Sequence, residues 1–492
     1  MAWVCFGQTS DDTAAPDPAV EAKAEKEAQK KLADIEARRQ YIKNREKKLF
    51  TSATASEATV TFSHQVEIKS EEKPTKEAAL AQIDAQLGFM FGPLGENESD
   101  RDGKVSAVPR GDYEIDRSSV KIAEKEGAKN TWVVSYQYSG TLLIEDEKSK
   151  KAELKIALPH NPDTIYKEAK VTEKHPHCTD DHYFTEGDFW YFWNPEKPDC
   201  ELKEGQNFDY VADIKIKPGK KEKKSYPNYP KLVKNGVIRA TILLGLDEPK
   251  MYAANRNPLT SKDINALTYR KLRKSLVQMG FTAPKRRWTL DEISKVAPVS
   301  KEEMVFTPYV ETFVKTEPLK VMVNGVMQPL RMEVRLFFGP TGINETEEGN
   351  APFHYFYKDA LENDSVVVYD GHSGLGGHLD LAGIEEAEGF KINMSPDDQI
   401  YFFNSCSSYT YYNNSYFERK GGAEKLDIMA NGLATQFDVM HQTNLRILQA
   451  IDLWANKRAP HTYQAIAKDI DSGNLFAVVG DDVGNPKSPE EL

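Results

Sequence analysis

Two residues in the second half of the chain have the types and the setting for covalent chemistry. His372 follows the β-branched run 366–368 in SVVVYDGHSG, and Cys406 follows the apolar run 400–403 in IYFFNSCSS. Short apolar runs that end at small polar residues are typical of strands buried on both faces of a parallel sheet. Each run therefore predicts a strand that presents a reactive side chain at its carboxyl end, the edge at which open α/β sheets bind ligands.

The spacing of the two residues is compatible with neighbouring strands. The 34 positions between them (406 − 372) leave room for one crossover with a short helix, predicted at residues 379–388. An imidazole beside a thiol withdraws its proton, and the thiolate is the form that attacks a carbonyl carbon. The pair thus has the chemistry of a cysteine hydrolase.

The residues around the pair predict support for this chemistry. Glycines at 371, 374, 376 and 377 keep the backbone near the histidine free of side chains. Backbone N–H groups of Ser373 and Gly374 could then face a developing oxyanion. Asp370 and Asn404, which precede the two turns, are candidates for supporting the histidine and the cysteine.

The motif resembles the caspase-like clan of cysteine peptidases, which includes caspases, legumains, clostripain and the gingipains. In that clan a hydrophobic strand ends in Gly-His-Gly, and a later hydrophobic strand ends in a small residue and Cys. The order of the two residues and their spacing are most similar to the gingipain-like branch, and the resemblance covers roughly residues 237–480. One position departs from the pattern, since Ser373 stands where the clan usually has glycine.

The resemblance implies both a fold and an activity. The fold would be an α/β domain of the caspase–haemoglobinase type with a mostly parallel sheet. The activity would be that of a cysteine endopeptidase acting on a polypeptide substrate, with Cys406 as nucleophile, His372 as base and no metal or other cofactor. Residues 409–417 are interpreted as a loop that lines the specificity pocket.

Three alternatives remain at this stage. Cysteine is among the most buried residue types, so Cys406 taken alone could be a core residue. The chain could also be a catalytically inactive, caspase-like scaffold that acts as a binding protein of the cell envelope. Finally, the same dyad could hydrolyse another acyl bond.

Composition restricts the class of protein. The chain has 492 residues, enough for two or three domains, and its 39% hydrophobic and 28% charged content is that of a soluble globular protein. A net charge of −12 argues against a nucleic-acid partner. No run approaches the ~20 apolar residues that a membrane span requires.

Changes in composition along the chain predict its organisation. Residues 1–18 are predicted to be disordered and residues 19–50 to form a charged helix or stalk. An α+β domain is predicted at 57–230, and the α/β domain at 236–482 with an insertion at about 281–330. The start lacks a complete signal peptide, which leaves two interpretations: a cytoplasmic terminus, or an exported protein whose leader is missing. In the second interpretation, Cys5 could be a lipid anchor and the amino-terminal segment could contact the envelope.

Residues 171–200 combine histidines, cysteines, acidic residues and aromatic residues, which allows two hypotheses. A metal cluster would use His175, His177, Cys178, Asp181 and His182, but none of their spacings is a strong zinc signal. The alternative is a Cys178–Cys200 disulfide that closes over the aromatic run 189–193, itself predicted to be a core strand. A disulfide indicates an oxidising compartment and therefore favours export over a cytoplasmic location.

Overall fold

The computed structural model describes residues 49–95, 107–146, 154–179, 183–246, 257–300, 304, 306–323, 326–341, 350–422, 425–435, 440–457 and 459–480. The predicted disordered segment 1–18 and nearly all of the predicted helix 19–50 lie outside these residues. The last two residues of that predicted helix belong instead to a strand that begins at Leu49. The described residues from Leu49 onwards belong to one compact unit, which contains both predicted domains.

The strands are numbered in chain order. They are β1 Leu49–Ser52, β2 Ala55–Lys69, β3 Ala107–Ile115, β4 Lys121–Glu124, β5 Thr131–Glu145, β6 Ala157–Pro159, β7 Phe208–Tyr210, β8 Lys215–Pro218, β9 Val237–Gly245, β10 Tyr309–Val323, β11 Val326–Gly339, β12 Val366–Asp370, β13 Gln399–Asn404, β14 Leu426–Ala430 and β15 Ala477–Gly480.

The helices are numbered in the same way. They are α1 Lys76–Gly88, α2 Phe91–Gly95, α3 Ile165–Glu168, α4 Ile264–Gln278, α5 Leu290–Val296, α6 Ala351–Asn363, α7 Leu381–Glu388, α8 Ser408–Lys420, α9 Met440–Lys457 and α10 Tyr463–Ile470. Short 3₁₀ turns occur at Phe189–Tyr191, Tyr229–Leu232 and Gly374–Leu379.

The protein is a mixed α/β structure with a large, mostly parallel central sheet. Its eight strands lie in the order β1-β15-β14-β13-β12-β9-β11-β10. The five inner strands from β14 to β11 are parallel, whereas β15, β1 and β10 pair in the antiparallel sense. Strands β9 and β12 are neighbours at the centre of this order. The chain continues from β9 to the strands on one side, β10 and β11, and from β12 to the strand on the other side, β13. Such a switch in direction opens a crevice at the carboxyl ends of the strands.

Helices cover both faces of this sheet, which explains why its central strands are uniformly apolar. On one face α4, α9 and α10 share a core with residues such as Ile242, Val368 and Phe402. On the other face aromatic residues of α6 and α8 pack on the strands, with Phe353 against Tyr369 and Tyr416 against Phe403. The inner strands are therefore buried on both sides, and their carboxyl ends are the accessible edge.

The first half of the chain forms a second sheet, in which β3, β5, β2 and β8 are neighbours and β4 pairs with β5. This sheet packs against α8 of the α/β part. Tyr409 and Arg110 both bond to the carboxylate of Glu57, and the hydroxyl of Thr410 donates to the carbonyl of Pro109. The α+β part therefore directly supports the helix that follows Cys406.

Three segments differ from their predicted structure. The aromatic run 189–193 is not a strand, and its first three residues, Phe189–Tyr191, form a 3₁₀ turn. Residues 409–417 are not a loop but lie within α8, where Tyr412 and Tyr416 are buried against Phe403 of the central sheet. Much of the predicted insertion at 281–330 belongs to the central sheet, because β10 pairs along the length of β11.

Where the chain is described, no helix combines the length and the apolar character needed to cross a bilayer.

Candidate functional site

The central sheet brings the turns of His372 and Cys406 to the same edge. Strands β12 and β13 are parallel neighbours, and Asp370 pairs in register with Asn404. His372 lies two residues after Asp370, and Cys406 lies two residues after Asn404. Neighbouring strands are about 4.8 Å apart, so the two residues leave the sheet side by side.

Cys406 lies in a tight turn between β13 and α8. It is partly exposed and is the one cysteine in the described part of the chain that is outside a disulfide. Its Sγ is 3.8 Å from Oγ1 of Thr435. The next residue, Ser407, has a left-handed backbone (φ 50°, ψ 24°) and α8 begins directly after it. Cys406 thus stands at the amino-terminal end of a 13-residue helix, where the partial positive charge of the helix favours an anion.

The histidine turn has a backbone shape that suits an oxyanion. Ser373 is in the right-handed helical region (φ −84°, ψ −23°), and Gly374 follows with φ +54°. A right-handed residue followed by a left-handed one directs successive N–H groups into one concavity, called a nest, which binds anions. Glycine is required at 374, because a Cβ there would lie 2.2 Å from the ring of His378.

Two tyrosine hydroxyls hold this turn against the rest of the site. Tyr369 donates to the carbonyl of His372 at 2.7 Å. Tyr412, on α8, donates to the carbonyl of Ser373 at 3.1 Å. The helix that follows the cysteine is therefore bonded to the turn that carries the histidine.

The second histidine of the turn differs from the first in its environment. Burial, followed by the charge of His372, lowers the pKa of His378 to about 4. His378 is therefore neutral at neutral pH and its ring packs under Gly374. Because of this low pKa, His378 accepts a proton poorly, which leaves His372 as the candidate base.

Asp370 and Asn404 belong to a row of buried polar side chains beneath the two turns. Asn444 of α9 donates to Oδ2 of Asp370, and Asn404 donates to Oδ1 of Asn444 at 2.7 Å. Asn431, which follows β14, donates to Oδ1 of Asn404 at 3.1 Å, and Asn474 donates to Asn431 at 2.6 Å. The row ties the carboxyl ends of three parallel strands to α9.

The carboxyl group of Asp370 lies at the end of this row. Burial is the main cause that raises its pKa to about 7, aided by the nearby charge of Asp263 and opposed by Asn444 and His372. Its Oδ1 has no hydrogen-bond partner in the described part of the chain. Asp370 can therefore change its protonation state near neutral pH, directly beneath the histidine turn.

Cys178 and Cys200 form a disulfide, with their Cα atoms 4.6 Å apart. A disulfide-bonded sulfur cannot be the thiolate ligand that the metal hypothesis requires. Asp181 and His182 of that hypothesis lie outside the described residues, and among the described ones no three His, Cys, Asp or Glu side chains group to hold a metal ion. The disulfide instead closes a segment whose aromatic residues reach the cysteine turn.

Tyr191, inside this segment, contacts the turn directly. Its hydroxyl is 3.1 Å from Oγ of Ser407. Its ring stacks on Phe91, with ring centroids 5.1 Å apart, and on Tyr411 of α8 at 6.4 Å. Burial first, and the charge of Cys406 second, raise the pKa of Tyr191 to about 12, so its hydroxyl stays protonated.

Three residues that contact the two turns or the polar row were not predicted from the sequence: Tyr191, Tyr412 and Asn444. Only Tyr412 had a usable signal, because Tyr409, Tyr412 and Tyr416 have the i, i+3, i+7 spacing of one helix face. Tyr191 and Asn444 reach the site through contacts across the fold, which leave no local pattern.

A cavity of about 330 Å³ lies at the opposite edge of the sheet, where its lining includes Lys234, Arg239, Glu362 and Asp397. Its charged groups are paired within the protein, as in Lys234 with Asp397 and Arg239 with Glu333. It is remote from the carboxyl edge and is not part of the candidate site.

The chain was also compared with known proteins. Neither the models of protein families nor the curated protein sequences match it. The residues at the carboxyl edge of β12 and β13 are therefore the basis for inferring a function.

Proposed function

We propose that this protein is a cysteine endopeptidase of the caspase-like clan, with Cys406 as nucleophile and His372 as general base. The observation that carries the proposal is the parallel pairing of β12 with β13, in which His372 and Cys406 follow the same register pair. The motif order and the partly exposed thiol are consistent with it.

The proposed reaction has two halves. In the first, Sγ of Cys406 attacks the scissile carbonyl carbon while His372 accepts the thiol proton. The tetrahedral intermediate collapses, the C–N bond breaks, and His372 donates that proton to the leaving amine. In the second half His372 takes a proton from water, and the hydroxide attacks the thioester. The C–S bond then breaks and releases the acid, and His372 returns its proton to Sγ to restore the thiol.

The oxyanion formed in both halves needs positive groups placed in advance. The nest at Ser373 and Gly374 is one source of N–H donors, and the amino-terminal end of α8 is another. Ser373 contributes its backbone N–H as any residue would. Its presence in place of the clan's glycine is therefore compatible with catalysis, because the left-handed conformation is at Gly374.

The competing proposal is an inactive scaffold that binds a partner. Ser373 is the observation in its favour, since it departs from the clan motif at the residue after the histidine. The buried state of Phe189, Tyr191 and Trp193 weighs against the aromatic run as an open binding platform. The two proposals differ in the reactivity of one thiol.

Thiol labelling tests the proposal most directly. Iodoacetamide, or a peptide acyloxymethyl ketone, should modify Cys406 much faster than Cys5 in the full chain, and His372→Ala should remove the difference. A peptide library then identifies the residues preferred around the cleaved bond. Labelling of Cys406 no faster than that of Cys5 would favour the scaffold.

Substitution of either dyad residue should abolish cleavage of a library-selected peptide. We expect Cys406→Ala and His372→Ala each to lower kcat/KM by about 10⁴-fold or more, because nucleophile and base act as a unit. The melting temperature should change little. His175→Ala, at an exposed histidine of the α+β part, is the control and should keep full activity. Retained cleavage by Cys406→Ala would end the proposal.

The disulfide supports a proposed location outside the reducing cytoplasm. Alkylation of cells with a thiol reagent before lysis, followed by mass spectrometry, should find Cys178 and Cys200 unmodified and linked. Alkylation of both cysteines in the native host would favour a cytoplasmic location.

A further inference from the structure

The turn that presents Cys406 contains a backbone conformation that its own sequence does not favour. Ser407 has φ +50°, in the left-handed region that non-glycine residues rarely adopt. Such a residue persists only where surrounding contacts impose its conformation. The contacts of Ser407 are therefore also the determinants of where Cys406 is held.

The backbone of Ser407 makes its hydrogen bonds within the α/β part. Its N–H donates to the carbonyl of Leu433 at 3.2 Å, and its carbonyl accepts from the N–H of Thr410 at 3.0 Å. Its side chain, in contrast, is bonded to the other half of the chain, since Oγ is 3.1 Å from the hydroxyl of Tyr191. Both residues are only 5% exposed, so water does not replace this hydrogen bond readily.

Tyr191 is itself held by two neighbouring rings and by the closure of its segment. Phe91 and Tyr411 stack with its ring, and their own rings are nearly parallel, with centroids 5.8 Å apart. The Cys178–Cys200 disulfide closes the segment that carries it. A hydroxyl on a ring fixed in this way has a defined position relative to the cysteine turn.

We propose that Tyr191 is a positioning residue of the peptidase, which holds Ser407 in its left-handed conformation and thereby orients the thiol of Cys406. This inference rests on the proposed function for its consequence in catalysis. It assigns to the α+β part a role in the active site, through a residue 216 positions before Ser407.

Tyr191→Phe tests the hydroxyl while it keeps the stacked ring. We expect kcat to fall about tenfold with KM changed less than about twofold, because the variant loses orientation of the thiol and not substrate binding. The rate of alkylation of Cys406 by iodoacetamide should fall in parallel. Tyr166→Phe is the matched control, because it removes a hydroxyl that bonds only within the same part of the chain, to the carbonyl of Phe184 at 3.0 Å. It should leave both rates unchanged.

A double-mutant cycle separates positioning from general loss of structure. Glycine adopts a positive φ freely and has no Oγ, so Ser407→Gly removes both the partner of the Tyr191 hydroxyl and the need for that bond. In the Ser407→Gly background, Tyr191→Phe should change kcat and the alkylation rate by less than about twofold. An equal loss in both backgrounds, or a loss below about twofold in the wild type, would overturn the proposal.

The two readouts distinguish this inference from the proposed function. Alkylation of Cys406 needs no peptide substrate, so the cycle can be measured even if no peptide is cleaved. Coupled alkylation rates without any peptidase activity would support the positioning role and refute the peptidase. Peptide cleavage by the wild type, without coupling between Tyr191 and Ser407, would support the peptidase and refute the positioning role.

Discussion

At the scale of residues, the site combines a reactive pair with a buried polar row beneath it. His372 and Cys406 stand in the two turns, whereas Asp370 and Asn404 face α9 and bond to Asn444. Buried polar groups are costly unless they are paired, so a row in which each amide donates to the next specifies one arrangement of the strand ends. Asp370 and Asn404 thus fix the strand ends from which the two turns leave.

Asp370 makes the stability of the protein depend on pH. Its folded pKa of about 7 is above the ordinary value of 3.8, so the folded state keeps a proton that the unfolded chain releases between about pH 4 and 7. The free energy of unfolding should therefore fall across this window as pH rises. Across the whole window, the stability lost through Asp370 is on the order of 4 kcal/mol.

Asp370→Asn should remove this contribution. Denaturant unfolding measures the free energy of unfolding of wild type and variant at pH 4.5 and pH 8. The difference between the two proteins cancels the effect of the other titrating groups. We expect the variant to lose less stability than the wild type between the two pH values. The same pH dependence in both proteins would contradict the assigned pKa.

At the scale of elements, α8 connects the two turns. It begins beside Cys406, packs on the sheet through its tyrosines, and bonds to the histidine turn through Tyr412. Its other side bonds to the α+β part through Tyr409 and Thr410. A shift of this helix would therefore move both reactive turns together.

Tyr412→Phe should weaken the connection between the turns. Loss of the hydroxyl bond to Ser373 should cost about 0.5–1.5 kcal/mol of stability and lower kcat/KM about five- to tenfold. Tyr401→Phe is the control, because its buried hydroxyl bonds to Gln399 at 2.7 Å near the opposite edge of the sheet. It should cost similar stability without loss of activity. Equal activity losses in the two variants would show that Tyr412 has no specific role.

At the scale of the whole molecule, the α+β part and the α/β part form one compact unit. Strand β1, which precedes the α+β part, pairs with β15 at the edge of the central sheet. Tyr191 and the β3–α8 contacts join the parts near the carboxyl edge. The first part is thus integrated with the site and is not a separate appended domain.

The disulfide should contribute substantially to the stability of this unit. Cys178 and Cys200 are 22 positions apart, a loop for which the chain-entropy estimate is about 3 kcal/mol. The double variant Cys178→Ser/Cys200→Ser should therefore lose about that much and become insensitive to reductant. Thermal melting of wild type and variant, each with and without dithiothreitol, measures both effects. A wild-type melting temperature unaffected by complete reduction would contradict this prediction.

Much of the central sheet could be predicted from the sequence because its signals are local. Uniformly apolar runs such as 366–368 and 400–403 are buried on both faces, so they predicted parallel strands with polar residues at their carboxyl ends. The spacing of these runs also predicted a crossover helix, observed as Leu381–Glu388. Local signals were misleading in the run 189–193, where alternate residues are buried as in a strand although the backbone of Phe189–Tyr191 forms a 3₁₀ turn.

The tertiary structure alone decided which parts of the chain complete the site. Residues far apart in the chain meet through three features of the fold. These are the strand order, the docking of the α+β sheet on α8, and the contacts of Tyr191 and Asn444. Such contacts depend on the shape and the hydrogen-bonding capacity of two surfaces at once, and neither segment carries that information separately. The sequence by itself indicated the proposed catalytic pair and the edge of the sheet at which its two turns lie, whereas the fold determined which other residues contact those turns.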